Sequence, residues 1–321
     1  MPFVPFRSLR FPDSTGLPVA WGVWEPGDQV GMLNNITPAS TIEGARLVRI
    51  GTRFNLNLPL HEPLGAIPAG AHVWRRGPRR NLFKGEYEGL VVRDDKLEEL
   101  YLQASTQWDG LTHVGDPVLG YYNGVQDQDI TQGADTKNGV DHYVKFGIAT
   151  RGVLVDLPRF FESKGMDWSV VGSRSVGPEV LVEALAYFNI QLLQGTALLV
   201  RTGWVSAFRA AATDDQRERL FKGRDYSGLS GGREMWEFLW DNRISALASD
   251  NVTVEAWPLT RGQPSLHLAI ARLGLILGEM FDLDGLADAC VEDQRYEFFF
   301  VSAPLNLRGG VGSPANAMAI K

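Results

Sequence analysis

The sequence predicts a layered α/β or α+β fold built as one domain. Three observations carry this. Short apolar runs bounded by glycine or polar turns alternate with amphipathic segments. The connections between them are short. No repeat, low-complexity tract or long polar linker divides the 321 residues.

The elements follow in order. Residues 1–38 are rich in Pro, Gly and Trp and read as an irregular N-terminal arm. Thr37-Pro38-Ala39-Ser40 opens a helix over 40–49, ended by Gly51. Residues 52–59 alternate apolar and polar and read as a strand, whereas 60–95, with many Gly and Pro, read as loop. His61 and His72 lie in that loop and read as surface histidines. Arg75, Arg76, Arg79 and Arg80 form a basic cluster there, a solvated patch or, alternatively, a contact for an anion or carboxylate. Another Gly-rich loop spans 115–139. Buried strands are expected at 152–157, 196–201, 244–248, 275–280 and, rich in aromatics, 296–305. Helices are expected at 178–188, over 207–240 with a break at 228–232, and at 266–273 before Gly274.

Composition narrows the function classes. Hydrophobic content of 44% with 21% charged residues is that of an ordinary soluble domain with a sizeable core. A net charge of -7 disfavours nucleic acid and anionic membranes as partners and leaves a small-molecule substrate. Cys290 is the only cysteine, which excludes an internal disulfide and a thiolate metal knot. With no visible signal peptide and no apolar stretch of transmembrane length, a cytoplasmic protein is expected.

Asp109 and His113 stand four apart in Gln107-Trp108-Asp109-Gly110-Leu111-Thr112-His113. From one helical or tight turn both can face a single point and hold a divalent cation with further ligands. The alternative is a turn-capping carboxylate beside a hydrogen-bonded core histidine. His267 and Glu279 stand twelve apart. On one continuous helix they would lie about 18 Å apart and could not share an ion. Gly274 breaks that helix, and a returning strand brings them back together. Glu279 also sits in an apolar run, Leu275 to Phe281, where an unpaired carboxylate is costly. Asp250, Thr253 and Glu255 follow a buried strand, at the strand end where sites of layered folds gather. A turn Asp and an exposed Glu are the alternative.

Asp109, His113, His267 and Glu279 together make a nitrogen and oxygen set that suits Zn²⁺ or Mn²⁺. Such an ion polarises a carbonyl and lowers the pKa of water from about 15.7 toward about 7. Hydrolysis of an amide, formamide or lactone follows, with a histidine or Glu279 moving the proton. No G-x-S-x-G elbow, P-loop or G-x-G-x-x-G is present, which disfavours serine-hydrolase and nucleotide chemistry.

An ordered run of motifs resembles the putative cyclase family, metal-dependent hydrolases that include kynurenine formamidase and isatin hydrolase. The matching stretches are Gly31-Met32-Leu33-Asn34 with Thr37-Pro38, Trp108–Pro117, Arg151–Asp156, Leu199–Trp204, Ser249–Glu255, His267 to Glu279, and Ala303-Pro304-Leu305 with Gly312-Ser313-Pro314. The family signature reads H-x-G-T-H-x-D-x-P-x-H. With Thr112-His113 on its T-H, Asp109 takes the first histidine's place and Pro117 the proline's. Gly115 falls where the bridging aspartate belongs and Leu119 where the last, catalytic histidine belongs. The chain therefore looks like a divergent tryptophan-aspartate branch, with Asp116 and His142 as candidate substitutes. The resemblance implies a swivelling β/β/α domain and a homodimer or larger assembly. It also implies an arm that often reaches the neighbour's site, a role that suits Trp21 and Trp24 as well as simple packing on the chain's own core. Candidate catalytic residues are then His113, His267, Glu279 and His142, and candidate substrate contacts are Trp24, Trp108, Asp250 and Thr253. The rival readings are a small-ligand-binding protein without catalysis, favoured by Gly115 and Leu119, and a metal-assisted cyclase or isomerase.

Overall fold

A computed structural model describes residues 2–66, 75–133 and 135–321. Thirteen strands are present among them. They are β1 (Arg53–Asn55), β2 (Arg79–Tyr87), β3 (Leu90–Glu98), β4 (Gln107–Asp109), β5 (Ile148–Asp156), β6 (Ser175–Val176) and β7 (Ala197–Arg201). The rest are β8 (Gly228–Leu229), β9 (Ala246–Ser249), β10 (Leu277–Glu279), β11 (Glu297–Ser302), β12 (Gly312–Pro314) and β13 (Ala317–Ile320). Nine of them form one mixed sheet in the order β1-β13-β11-β5-β7-β9-β10-β4-β12. Its centre, β5-β7-β9-β10, is parallel, and antiparallel strands continue it on both sides. β7, β9 and β10 are apolar runs with almost no exposed residue, the pattern of strands covered on both faces.

The expected strands at 152–157, 196–201, 244–248, 275–280 and 296–305 all appear, most of them shorter. β11 ends at Ser302 because Pro304, two residues on, has no N–H to donate. The strand expected over 52–59 shrinks to β1, after which Asn57 makes a lone bridge to Phe281. The helix expected at 40–49 runs Pro38–Arg46, with Thr37 and Ser40 in a reciprocal cap. The 207–240 stretch resolves into helices Trp204–Ala210, Asp214–Lys222 and Arg233–Asp241, with β8 in the glycine-rich break.

One expectation is corrected outright. Residues 60–95 are not all loop, because β2 and β3 pair in register from Arg79↔Glu98 to Tyr87↔Leu90. Glu88 and Gly89 turn the chain with φ of +50° and +78°, as a two-residue hairpin requires. Both faces of this ribbon are exposed, so the apolar and polar alternation that marks a strand is weak. Residues 67–74, including His72, lie outside the described residues.

The N-terminal arm packs on its own chain. Phe6 is buried, its N–H donates to Asp241, and Trp240 donates to the Val4 carbonyl. No helix of the described chain is long and apolar enough to cross a membrane.

Candidate metal centre

The site forms where β10 and β4 pair. In their register Leu277 faces Asp109 and Glu279 faces Gln107. Side chains alternate along a strand, so Gln107, Asp109 and Glu279 share one face of the sheet. Trp108 and Gly278 take the other. A Cβ at Gly278 would stand 2.6 Å from the Trp108 ring, which explains a glycine inside this strand.

His267 arrives from the first turn of the helix Leu266–Leu273, capped by Ser265. Gly274 ends that helix in the left-handed region at φ +70°, and three residues later the chain is in β10. This reversal brings the Nε2 of His267 to 3.1 Å from Glu279 Oε1. Asp109 Oδ2 lies 3.7 Å from the same nitrogen. One ligand atom each from Asp109, His267 and Glu279 falls within 4.8 Å of the others, a spread that one cation spans. His113 stands beside them, its Nε2 3.7 Å from Asp109 Oδ1, and its Nδ1 is 3.4 Å from Gln103 Nε2.

Two further residues hold this set. Glu255 is buried, and its Oε1 lies 2.6 Å from His267 Nδ1 while Oε2 accepts the Leu266 N–H. A carboxylate on Nδ1–H turns the Nε2 lone pair toward Asp109 and Glu279. Gln107 donates to Glu279 Oε2 at 2.6 Å and to Asp109 Oδ1 at 3.3 Å.

Electrostatics mark the cluster as short of positive charge. Burial, followed by repulsion from Asp109, pushes Glu279 up to about 7. Burial works against a charged His267, yet hydrogen bonds to Glu255 and Glu279 outweigh it and raise its pKa. Attraction to Asp109 would raise His113, but burial together with the charges of Arg75 and His267 leaves it lowered. Asp109 Oδ2 and Gln107 Oε1 are buried acceptors with no hydrogen-bond partner among the described residues. A buried carboxylate oxygen without a donor is costly. Together with the oxygen and nitrogen donor set, this fits a divalent cation at Asp109, His267 and Glu279.

A family model described as putative cyclase matches residues 54–256. A crystal structure described as a novel cyclase is 31% identical, covering 94% of this chain and 99% of its own, with a TM-score of 0.81. The chain belongs to the putative cyclase family. Two more distant structures share the cyclase fold at 17% identity and TM-scores of 0.54. They are isatin hydrolase A from Labrenzia aggregata, covering 87% of this chain and 96% of its own, and isatin hydrolase A from Ralstonia solanacearum, covering 88% and 97%. Comparison with curated proteins finds no match.

Not every candidate is gathered into this cyclase-family site. His142 lies on the helix Asp141–Phe146, and the charges that act on it are Asp141, Lys145, Asp28 and Lys137, none of them in the site. Burial lowers its pKa there. Asp116 is taken by Arg272 at 2.7 Å and by the N–H groups of Val118 and Leu119, so it is not free to replace an aspartate at Gly115. Trp108 is a core residue rather than a substrate contact. It is fully buried against Phe281 and Phe300 and donates to Ser302. Trp24 packs on Trp240, with ring centroids 5.4 Å apart, and Trp21 donates to the Ala271 carbonyl.

Asp250 is buried and accepts from the Thr202 N–H, the Thr202 hydroxyl and the Gly203 N–H, which is scaffolding for the loop after β7. Burial pushes it up to about 6, and these donors pull the other way. Thr253 lines a pocket beside Glu279. His61 is exposed. Sequence reasoning missed Gln107 and left Glu255 an open question. Reading 107–109 as a strand would have found the first, since alternation puts Gln107 on the face of Asp109.

Proposed function

We propose that this chain is a metal-dependent hydrolase that cleaves an amide, formamide or lactone bond of a small aromatic or cyclic substrate. The observation that carries the reading is the convergence of Asp109, His267 and Glu279, with a buried Asp109 oxygen that has no donor among the described residues. Zn²⁺ or Mn²⁺ held by these three residues would polarise the substrate carbonyl and make a water acidic enough to attack near neutral pH.

The chain's own groups do the rest. Glu255 holds the His267 ring by Nδ1 and so sets the direction of Nε2. Gln107 donates to both the Asp109 and the Glu279 carboxylates and so ties their side chains together. His113, about a fifth exposed and with its pKa lowered by burial and the charges of Arg75 and His267, would take a proton from the attacking water and return it to the leaving nitrogen or oxygen.

The test is metal analysis of the purified chain, then hydrolysis assays on cyclic amides, N-formyl anilines and lactones. Glu279→Gln and His113→Ala are expected to abolish hydrolysis, and Glu279→Gln also to lose metal. Full hydrolysis by metal-stripped protein or by Glu279→Gln overturns the reading. A non-catalytic binder is the second reading. It is favoured by Gly115 and Leu119 at two signature positions and by the Arg272 pair that occupies Asp116. A metal-assisted cyclase or isomerase is distinguished by product analysis alone.

A further inference from the structure

A cavity of about 190 Å³ opens beside Glu279. Phe221, Tyr226, Trp257 and Val252 supply its apolar wall. An apolar cavity of about 150 Å³ takes one benzene ring, so this space suits a single ring with small substituents.

Two arginines line the same cavity, Arg75 and Arg224. The chain carries a net charge of -7, and the adjoining site holds Asp109, Glu255 and Glu279. Two cations on one small pocket therefore run against the general charge. Arg75 donates to the Gln103 carbonyl at 3.0 Å. The Gln103 amide nitrogen lies 3.4 Å from His113 Nδ1, and Glu279 lines the same cavity, which places Arg75 at the reacting end. Arg224 lines the cavity together with Phe221 and Tyr226, and makes no hydrogen bond or ion pair among the described residues. Arg76, Arg79 and Arg80 are paired with Glu99, Glu98 and Asp95 and do not line this cavity.

We propose that the substrate is a single-ring carbonyl compound bearing a carboxylate, with the carboxylate on Arg224, the ring against Phe221, Tyr226 and Trp257, and the reacting carbonyl at the Arg75 and Glu279 end. This rests on the hydrolase reading for its chemistry but not for its binding. The reaction consumes water alone. A C–O bond forms at the carbonyl, the C–N or C–O bond breaks with its electron pair leaving on nitrogen or oxygen, and that atom takes the proton. Arg75 faces the negative charge that develops on the carbonyl oxygen.

The experiment is calorimetric titration of the purified full chain with benzoate and with benzamide, its neutral counterpart. Benzoate is expected to bind at least about tenfold more tightly than benzamide, as a charged hydrogen bond predicts. Arg224→Gln should weaken benzoate about 10–100-fold and leave benzamide unchanged, while Arg224→Lys keeps the charge and most of the binding. Arg224 is exposed, so neither variant should shift the melting temperature. Equal affinity for the two probes, or benzoate binding that survives Arg224→Gln, overturns the proposal. Benzoate lost in Glu279→Gln but kept in Arg224→Gln overturns it as well, because the carboxylate then sits on the metal. Arg224-dependent benzoate binding without hydrolysis of any substrate refutes the hydrolase reading and sustains the anion pocket.

Discussion

Replacing Glu255 by Gln removes one charge from behind His267 at almost constant volume. The carboxylate is 1% exposed, 2.6 Å from Nδ1 of His267, and its second oxygen accepts the Leu266 N–H. An ionised Glu255 only accepts, so Nδ1 carries the proton and Nε2 is free to ligate. Glutamine has one acceptor oxygen and must turn its NH₂ toward either the Leu266 N–H or the His267 N–H, donor against donor. A hydrogen bond to a charged group contributes about 1.5–3 kcal/mol, or about 10–100-fold in an equilibrium constant. Partners of metal-ligating histidines show the same range. Competition with a chromophoric chelator for Zn²⁺ and Mn²⁺ should therefore find affinity about 10–100-fold lower in Glu255→Gln. The unsatisfied donor costs about 1–3 kcal/mol more, which for 321 residues lowers the melting temperature by about 2–4 °C. Metal affinity within about twofold of wild type refutes the claim that Glu255 orients His267, whatever the melting temperature does.

Arg272→Met removes the cation from buried Asp116 and should cost about 3–5 kcal/mol, or about 4–7 °C for this chain of 321 residues; an unchanged melting temperature counts against a structural pair. The hydrogen bond from Arg272 also holds Asp13 down at about 2, below the ordinary carboxylate value. Its contribution is thus present above about pH 4 and is lost as pH falls through about 2, so the stability gap between wild type and Asp13→Asn should close over that window, and a constant gap contradicts it. The hairpin β2–β3 exposes Phe83, Tyr87, Leu90 and Val91 on a two-stranded ribbon that is marginal alone in water. Sedimentation should show a dimer or larger assembly that Tyr87→Glu with Val91→Glu converts to monomer; a wild-type monomer at micromolar concentration sinks this.

The pattern of local residues was enough to place much of this molecule. Buried strands at 197–201, 246–249 and 277–279 are apolar runs with polar or glycine ends, and that signal is local. The pairing of His267 with Glu279 was also legible, because Gly274 supplies a helix stop that only a few residue types tolerate. Asp109 was legible as a ligand candidate from its four-residue spacing to His113, although a strand and a turn position it rather than one helical turn.

Tertiary structure alone decided the rest. Gln107 reaches Glu279 across 172 residues, and Asp116 reaches Arg272 across 156. Neither partner follows from spacing, since sheet register and layer packing choose them. Trp108 carries an aromatic ring next to a ligand, and composition cannot say which face it takes; pairing with β10 turns it into the core against Gly278. Glu255 became a partner of His267 only because the loop after β9 passes over the start of the helix Leu266–Leu273. Chain-local sterics are written in the sequence, whereas the partner of a buried polar group is set by which distant strand lies alongside it.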